Sequence, residues 1–225
     1  MFVFNSFFYL CIIQGSLIGM KEKKIDLSTE TKIKEAARVV FYKKGFSATR
    51  TRDIAEEAGI NLALLNYYFR SKEKLFEIIM FETFSAFVQS MAVILNDETT
   101  NLESKVELIA NRYIDFIIRE PEVPTFLISE IRNNPQELLE KLPIKQLLNN
   151  SVFFKQHHEA VTQGFIMEPH PLHFLMNLLG LVVFPFIAKP LIMGVQDLDI
   201  EQFNALMIER KKLIPIWIGA MMKAK

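Results

Sequence analysis

The most constraining feature of this chain is the run at 51–72, TRDIAEEAGINLALLNYYFRSK, which resolves into two short helices joined by a tight turn. Thr51 is placed to cap the first helix, Ile54, Ala55 and Ala58 fall inward at helical spacing, and Gly59 supplies the backbone freedom to end it. Asn61 caps the second helix. There Leu62, Leu65, Tyr68 and Phe69 make an inward stripe, which leaves Ala63, Asn66, Tyr67 and Arg70 on the opposite face at spacings of three and four. One face packs; the other is free to touch a partner. A helix, a glycine-containing turn and a second helix with small, amide and aromatic residues outward is the helix-turn-helix, whose second helix lies in the DNA major groove.

A helix expected to begin at Ser28 or Thr29 precedes this pair, with Ile33, Ala36, Ala37, Val40 and Phe41 along one side. Lys43 and Lys44 stand in its last turn, Gly45 ends it, and Phe46 closes over a small three-helix core. Ser71 is positioned to cap a fourth helix in which Leu75, Ile78 and Ile79 face inward, running to about Ile94.

The run at 33–76 resembles the N-terminal domain of the tetracycline-repressor (TetR) family of one-component transcriptional regulators. The landmarks are AARVVFYKKGF at the end of the first helix, Thr51-Arg52-Asp53-Ile54-Ala55 in the second, Ala58-Gly59-Ile60 in the turn, and Tyr68-Phe69-x-Ser71-Lys72 leading into the fourth. The resemblance implies contacts to double-stranded operator DNA from Arg50, Thr51, Arg52, Leu62, Ala63, Asn66, Tyr67, Tyr68 and Lys72. Members often carry tyrosine where this chain has Asn66, so the exact base and backbone contacts are not carried over from the family. The resemblance also implies that the fourth helix links the DNA-reading head to a larger domain and transmits a ligand signal by its tilt.

Charge supports the same division. The chain of 225 residues is neutral overall, but residues 21–82 hold 13 lysines and arginines against 10 acids, an excess of three that the remainder reverses. So mild a field requires affinity to come from a few placed phosphate contacts and from doubling in a dimer. Half of the residues are hydrophobic and 23% are charged, which excludes general disorder.

Cys11 is the only cysteine, so neither an intramolecular disulfide framework nor a cysteine zinc cluster can form, in keeping with a cytoplasmic protein. His157-His158 and the pair His170, His173 are the remaining metal candidates. His170 lies between Pro169 and Pro171, which disfavours a regular ligand helix, and surface or pocket histidines are expected, with no metal and no cofactor.

The chain divides into an apolar leader at 1–20, a DNA-binding domain at 21–75 and a helical effector-binding and dimerisation domain at 76–225. The leader, MFVFNSFFYLCIIQGSLIGM, lacks the basic start of a secretory signal and is interrupted too often for a clean membrane span. Met20, followed at once by KEKK, is the expected start of the natural protein. The alternative is an N-terminal anchor that makes this a membrane-tethered regulator.

Beyond a loop at 96–101, helices are expected at 102–119, 124–133, 136–149 and 151–164, stopped by proline, asparagine or glycine. No stretch keeps strand period, so the fold is all-α. Residues 171–193 are apolar nearly all round, and an amphipathic helix follows at about 199–222. A helix apolar on every side must be buried on every side. The resemblance makes the helices at about 172–193 and 199–222 a four-helix homodimer interface.

Most of the phenylalanines and methionines lie in this second domain. A greasy cavity for a lipophilic effector is expected there, with Phe126, Glu130, Phe153, Phe154, His157, His173, Met176 and Phe184 as candidate lining. The leading function is a ligand-responsive, homodimeric repressor released from a palindromic operator by that effector. The rival is a helical small-molecule enzyme using His157, His173 and Glu130 as acid and base. Against it stands the lack of a glycine-rich phosphate loop, nucleophile elbow, metal-spaced cluster or cofactor fingerprint.

Overall fold

The structure is a computed structural model that describes residues 19–142, 144–149, 151–167 and 170–223. Expectations for the leader fall almost wholly outside this range. The regular structure among the described residues is all helix, with no strand. The chain separates into two compact units, one ending at Ile79 and the other beginning at Met80.

The first unit comprises α1 (Gly19–Ala48), α2 (Thr51–Ala58), α3 (Leu62–Phe69) and the opening turns of α4 (Lys72–Asn96). Helix α1 begins about nine residues earlier than Ser28 or Thr29. Its inward row is as expected: Ile33 and Ala37 are fully buried, and Ala36, Val40 and Phe41 nearly so. The regular path of α1 breaks at Gly45, whose φ of 74° is open to glycine and strained for other residues. Phe46 then packs on Phe41 and Phe76, with ring centroids 5.9 and 4.5 Å away.

The second unit takes the rest of α4 together with α5 (Leu102–Arg119), α6 (Val123–Asn133), α7 (Pro135–Lys141), α8 (Ile144–Asn149), α9 (Val152–Thr162), α10 (Pro171–Ile187), α11 (Lys189–Gln196) and α12 (Ile200–Lys223). Helix α5 is the central member, packed chiefly on α12 and α10. Asn101 caps it, accepting the Ser104 N–H at 2.8 Å. Before it, the buried Lys105 ammonium donates to the Asp97 and Thr100 carbonyls and to the Thr100 hydroxyl, fixing the preceding loop from within. Helix α4 is long and apolar enough to cross a membrane. Its Leu75, Ile79, Phe87 and Met91 are nevertheless buried within the protein.

Two expected helices are each a broken pair. The segment at 136–149 divides into α7 and α8 at residues 142–143, where Leu142 is extended at φ −113° and ψ 129° and the next residue is Pro143. A residue before proline is pushed towards extended backbone, which stops α7. The apolar run at 172–193 likewise divides at Ala188 into α10 and α11, bent by 63°. Pro190 suits the first turn of a new helix but cannot donate within an old one.

Candidate DNA-reading face and effector cavity

The two short helices of the first unit are delimited by their own side chains. Arg50, not Thr51, is the N-cap of α2, with extended backbone at φ −106° and ψ 148°; Thr51 is already helical. Asp53 replaces the expected hydroxyl cap by accepting the Arg50 N–H at 3.0 Å, and it also pairs with Lys44 at 3.1 Å. The Arg50 N–H and Lys44 hold the Asp53 carboxyl below its ordinary range. Gly59 ends α2 in the left-handed region at φ 62° and ψ 39°, its N–H reaching the Ala55 and Glu56 carbonyls. Asn61 caps α3, its side-chain oxygen accepting the Leu64 N–H at 2.8 Å. The turn between the helices is thereby set by two local residues, Gly59 and Asn61.

This geometry sorts the side chains by face. Ile54, Ala55 and Ala58 of α2 and Leu65 and Phe69 of α3 are buried. Leu62 and Tyr68, expected inward, are half-buried, with the Tyr68 ring edge-on to Tyr67 at 5.6 Å. Ala63, Asn66, Tyr67 and Arg70 are exposed, as are Arg50 and Arg52, while Thr51 is half-buried. Tyr67 is 79% exposed.

Lys72 has partners within the protein that the sequence did not suggest. Its ammonium donates to the Phe46 carbonyl at 2.9 Å and the Thr49 carbonyl at 3.0 Å, and it sits 4.3 Å from the Phe46 ring centroid. These bonds tie the start of α4 to the end of α1. One of the three ammonium protons remains beyond the two carbonyl bonds. Ser71 caps the same helix end by accepting the Lys74 N–H at 3.1 Å.

The second unit contains an apolar cavity of about 500 Å³. Helix α4 contributes Phe84 and Met91, α5 contributes Tyr113 and Phe116, and further walls come from α6, α7, α8 and α10. Ile131 and Phe184 line it while 55% and 62% exposed, which marks them as its rim.

Of the eight side chains expected to line an effector site, Phe184 lines this cavity and the other seven do not. Phe126 is core, edge-on to Phe81 at 5.2 Å. Phe153 is fully buried between Phe154 and Phe174, and Phe154 is half-buried. His157 is 1% exposed and packs on Phe174 at 5.4 Å. Glu130 accepts from the Asn134 side chain at 3.2 Å, and His173 and Met176 face solvent. Composition identified the greasy domain, but the side of each helix that borders a void depends on its neighbours. The lining residues that were missed, Tyr113, Phe116 and Ile117, lie at helical spacing on one face of α5. That face was legible as apolar and indistinguishable from ordinary core.

Among the described residues no three histidine, cysteine or acidic side chains stand close enough to share a metal ion. His170 serves α10 as its cap, its Nδ1 accepting the Leu172 N–H at 3.2 Å.

A three-helix head with a polar and aromatic outer face, followed by a helical unit enclosing an apolar cavity, defines a helix-turn-helix transcriptional regulator. Residues 33–79 match the family described as bacterial regulatory proteins, tetR family. The match covers the DNA-binding segment of the chain. It is 28% identical over 211 residues to YttP of Bacillus subtilis, assigned as an HTH-type transcriptional regulator, covering 88% of this chain and 95% of that one. It is 32% identical over 118 residues to the HTH-type transcriptional repressor NicS of Pseudomonas putida, covering 52% of this chain and 55% of the relative. Among solved structures, a Mesorhizobium loti protein assigned to the TetR family aligns with a TM-score of 0.60 at 19% identity, over 86% of this chain and 96% of that one. FadR of Bacillus subtilis, solved with stearoyl-CoA, aligns at 0.54 and 18%, over 85% and 98%.

Proposed function

We propose that this regulator is a cytoplasmic, homodimeric repressor that holds a palindromic operator through two reading heads and releases it when a small lipophilic molecule enters the cavity of the second unit. The observation that carries the DNA reading is the exposed face of Ala63, Asn66 and Tyr67 beside Arg52, on two helices whose turn is fixed by Gly59 and Asn61. Asn66 has the amide geometry to pair with an adenine edge, Tyr67 a phenol for a base edge, and Arg52 a fork for guanine or phosphate. Arg50, Thr51, Leu62 and Tyr68 flank this face. Lys72 supplies its remaining proton and the N-terminus of α4 to one phosphate.

Dimerisation is supported by apolar side chains left in water on α10 and α12. Met176, Phe184, Ile208 and Ile216 are each more than half exposed. A surface of this kind calls for a partner, and a second copy presents the same surface. Helix α10 also forms a wall of the cavity. A ligand that favours one position of α10 thus shifts the dimer between arrangements of unequal operator affinity. Repression is supported by NicS, which is named as a repressor. No chemical step belongs to this reading: His157, His173 and Glu130 do not line the cavity.

The test is fluorescence anisotropy of the full chain on DNA from upstream of its own gene, across a salt series. We expect tight binding that weakens steeply with salt, and a loss of tenfold or more in a folded Arg52→Ala, Tyr67→Ala double variant. Equal binding by that variant would remove the proposed face from the reading.

A further inference from the structure

The lining of the cavity specifies more than lipophilicity. Among the described residues that line it, none carries a charge, and the one side chain with a strong hydrogen-bonding group is Tyr113. Its ring stands edge-on to Phe87 at 4.6 Å, and Phe87 is stacked on Phe116 at 4.0 Å, so the ring is held by packing. Burial pushes the Tyr113 hydroxyl up to about 12, which keeps it a donor throughout the physiological range. No hydrogen bond to that hydroxyl occurs among the described residues, leaving its proton for whatever fills the cavity.

Building on the reading of this cavity as the effector site, we infer that the effector is electrically neutral, a hydrophobic body with one acceptor oxygen, such as an ester, ketone or lactone, held by the Tyr113 hydroxyl. A carboxylate or ammonium entering here would leave water without meeting an opposite charge among the described lining residues, and an unpaired buried ion is far more costly than an unpaired carbonyl. The volume of about 500 Å³ lies within the range of roughly 300–1,000 Å³ usual for small-molecule sites. A ligand with an anionic headgroup would have to leave that headgroup outside the rim at Ile131 and Phe184.

The full chain is loaded with N-phenyl-1-naphthylamine, a neutral fluorescent hydrophobe, and titrated with methyl decanoate, decanoate and decylammonium at neutral pH. We expect methyl decanoate to displace the dye at a concentration at least tenfold lower than either ion. Tyr113→Phe should weaken methyl decanoate about fivefold and leave the dye unchanged, since it removes one hydrogen bond and no ring. Leu179→Trp, which fills the cavity, should abolish dye binding while the helical spectrum persists. Equal displacement by decanoate, an unaltered ester affinity in Tyr113→Phe, or no dye binding by the native chain would each overturn the inference. Operator anisotropy run beside these titrations separates the two readings. Selective neutral binding without DNA release would retain the ligand class and reject ligand control; DNA release by decanoate at equal potency would do the reverse.

Discussion

The DNA-reading head and the cavity-bearing unit are both helical, but they are specified over different distances along the chain. In the head, the two short helices are started and stopped by residues within a few positions of the groups they satisfy: Asp53 on Arg50, Gly59 on Ala55 and Glu56, Asn61 on Leu64. The outward face of α3 follows from that local frame. In the second unit the cavity joins residues from Phe84 to Ile187, and its shape depends on how long helices meet. A surface that reads DNA can therefore be encoded by a short motif, whereas a void that selects a ligand is the remainder of many packing choices.

Core truncation gives the largest test of that contrast. Phe153→Ala removes a fully buried ring from the second unit, and Leu65→Ala removes a fully buried side chain from the head. Each should lower stability by about 3–5 kcal/mol and about 2–5 kcal/mol respectively. If the units are as separately specified as their geometry indicates, residue-resolved hydrogen exchange will show the greater loss of protection in the mutated unit. Equal loss across both would break the comparison.

A smaller effect is expected from Lys105→Met. Its ammonium holds carbonyls of Asp97 and Thr100 and the Thr100 hydroxyl, and its burial disfavours the charged form, shifting the lysine below its ordinary value. Removing the donor leaves these acceptors to find water at the start of α5, for a loss of about 1–3 kcal/mol in urea unfolding. Operator affinity of the folded variant should stay near that of the native chain.

The smallest effect belongs to Asp53. Its carboxyl titrates below 3.8 in the folded chain because the Arg50 N–H and Lys44 favour the ionised form. A depressed folded value means stabilisation that is complete above the unfolded value and lost as pH falls through the folded one. Asp53→Asn should therefore melt slightly lower than the native chain at pH 7. The difference should close as the pH is taken below 3.8, as followed by circular dichroism.

The head was legible in considerable detail because its signals are periodic and local. The inward row from Ile33 to Phe41, the glycine stop at Gly59 and the asparagine cap at Asn61 all stand where the pattern places them. Thr51 misled because hydroxyl residues favour caps, yet the cap falls one residue earlier, at Arg50, whose own N–H is taken by the carboxylate of Asp53. Lys72 also holds two carbonyls from the end of α1, and nothing local in the sequence reveals that they lie within its reach.

The sequence by itself determined an all-helical chain, the position of its reading motif and the outward residues of that motif, because helical period and capping chemistry act within one or two turns. It also determined that the second unit would be greasy. Only the tertiary structure decided that Phe153 and His157 are packing while Tyr113 faces a void. The physical reason is that an apolar helix face is the same string of residues whether a neighbour fills the space before it or leaves it open.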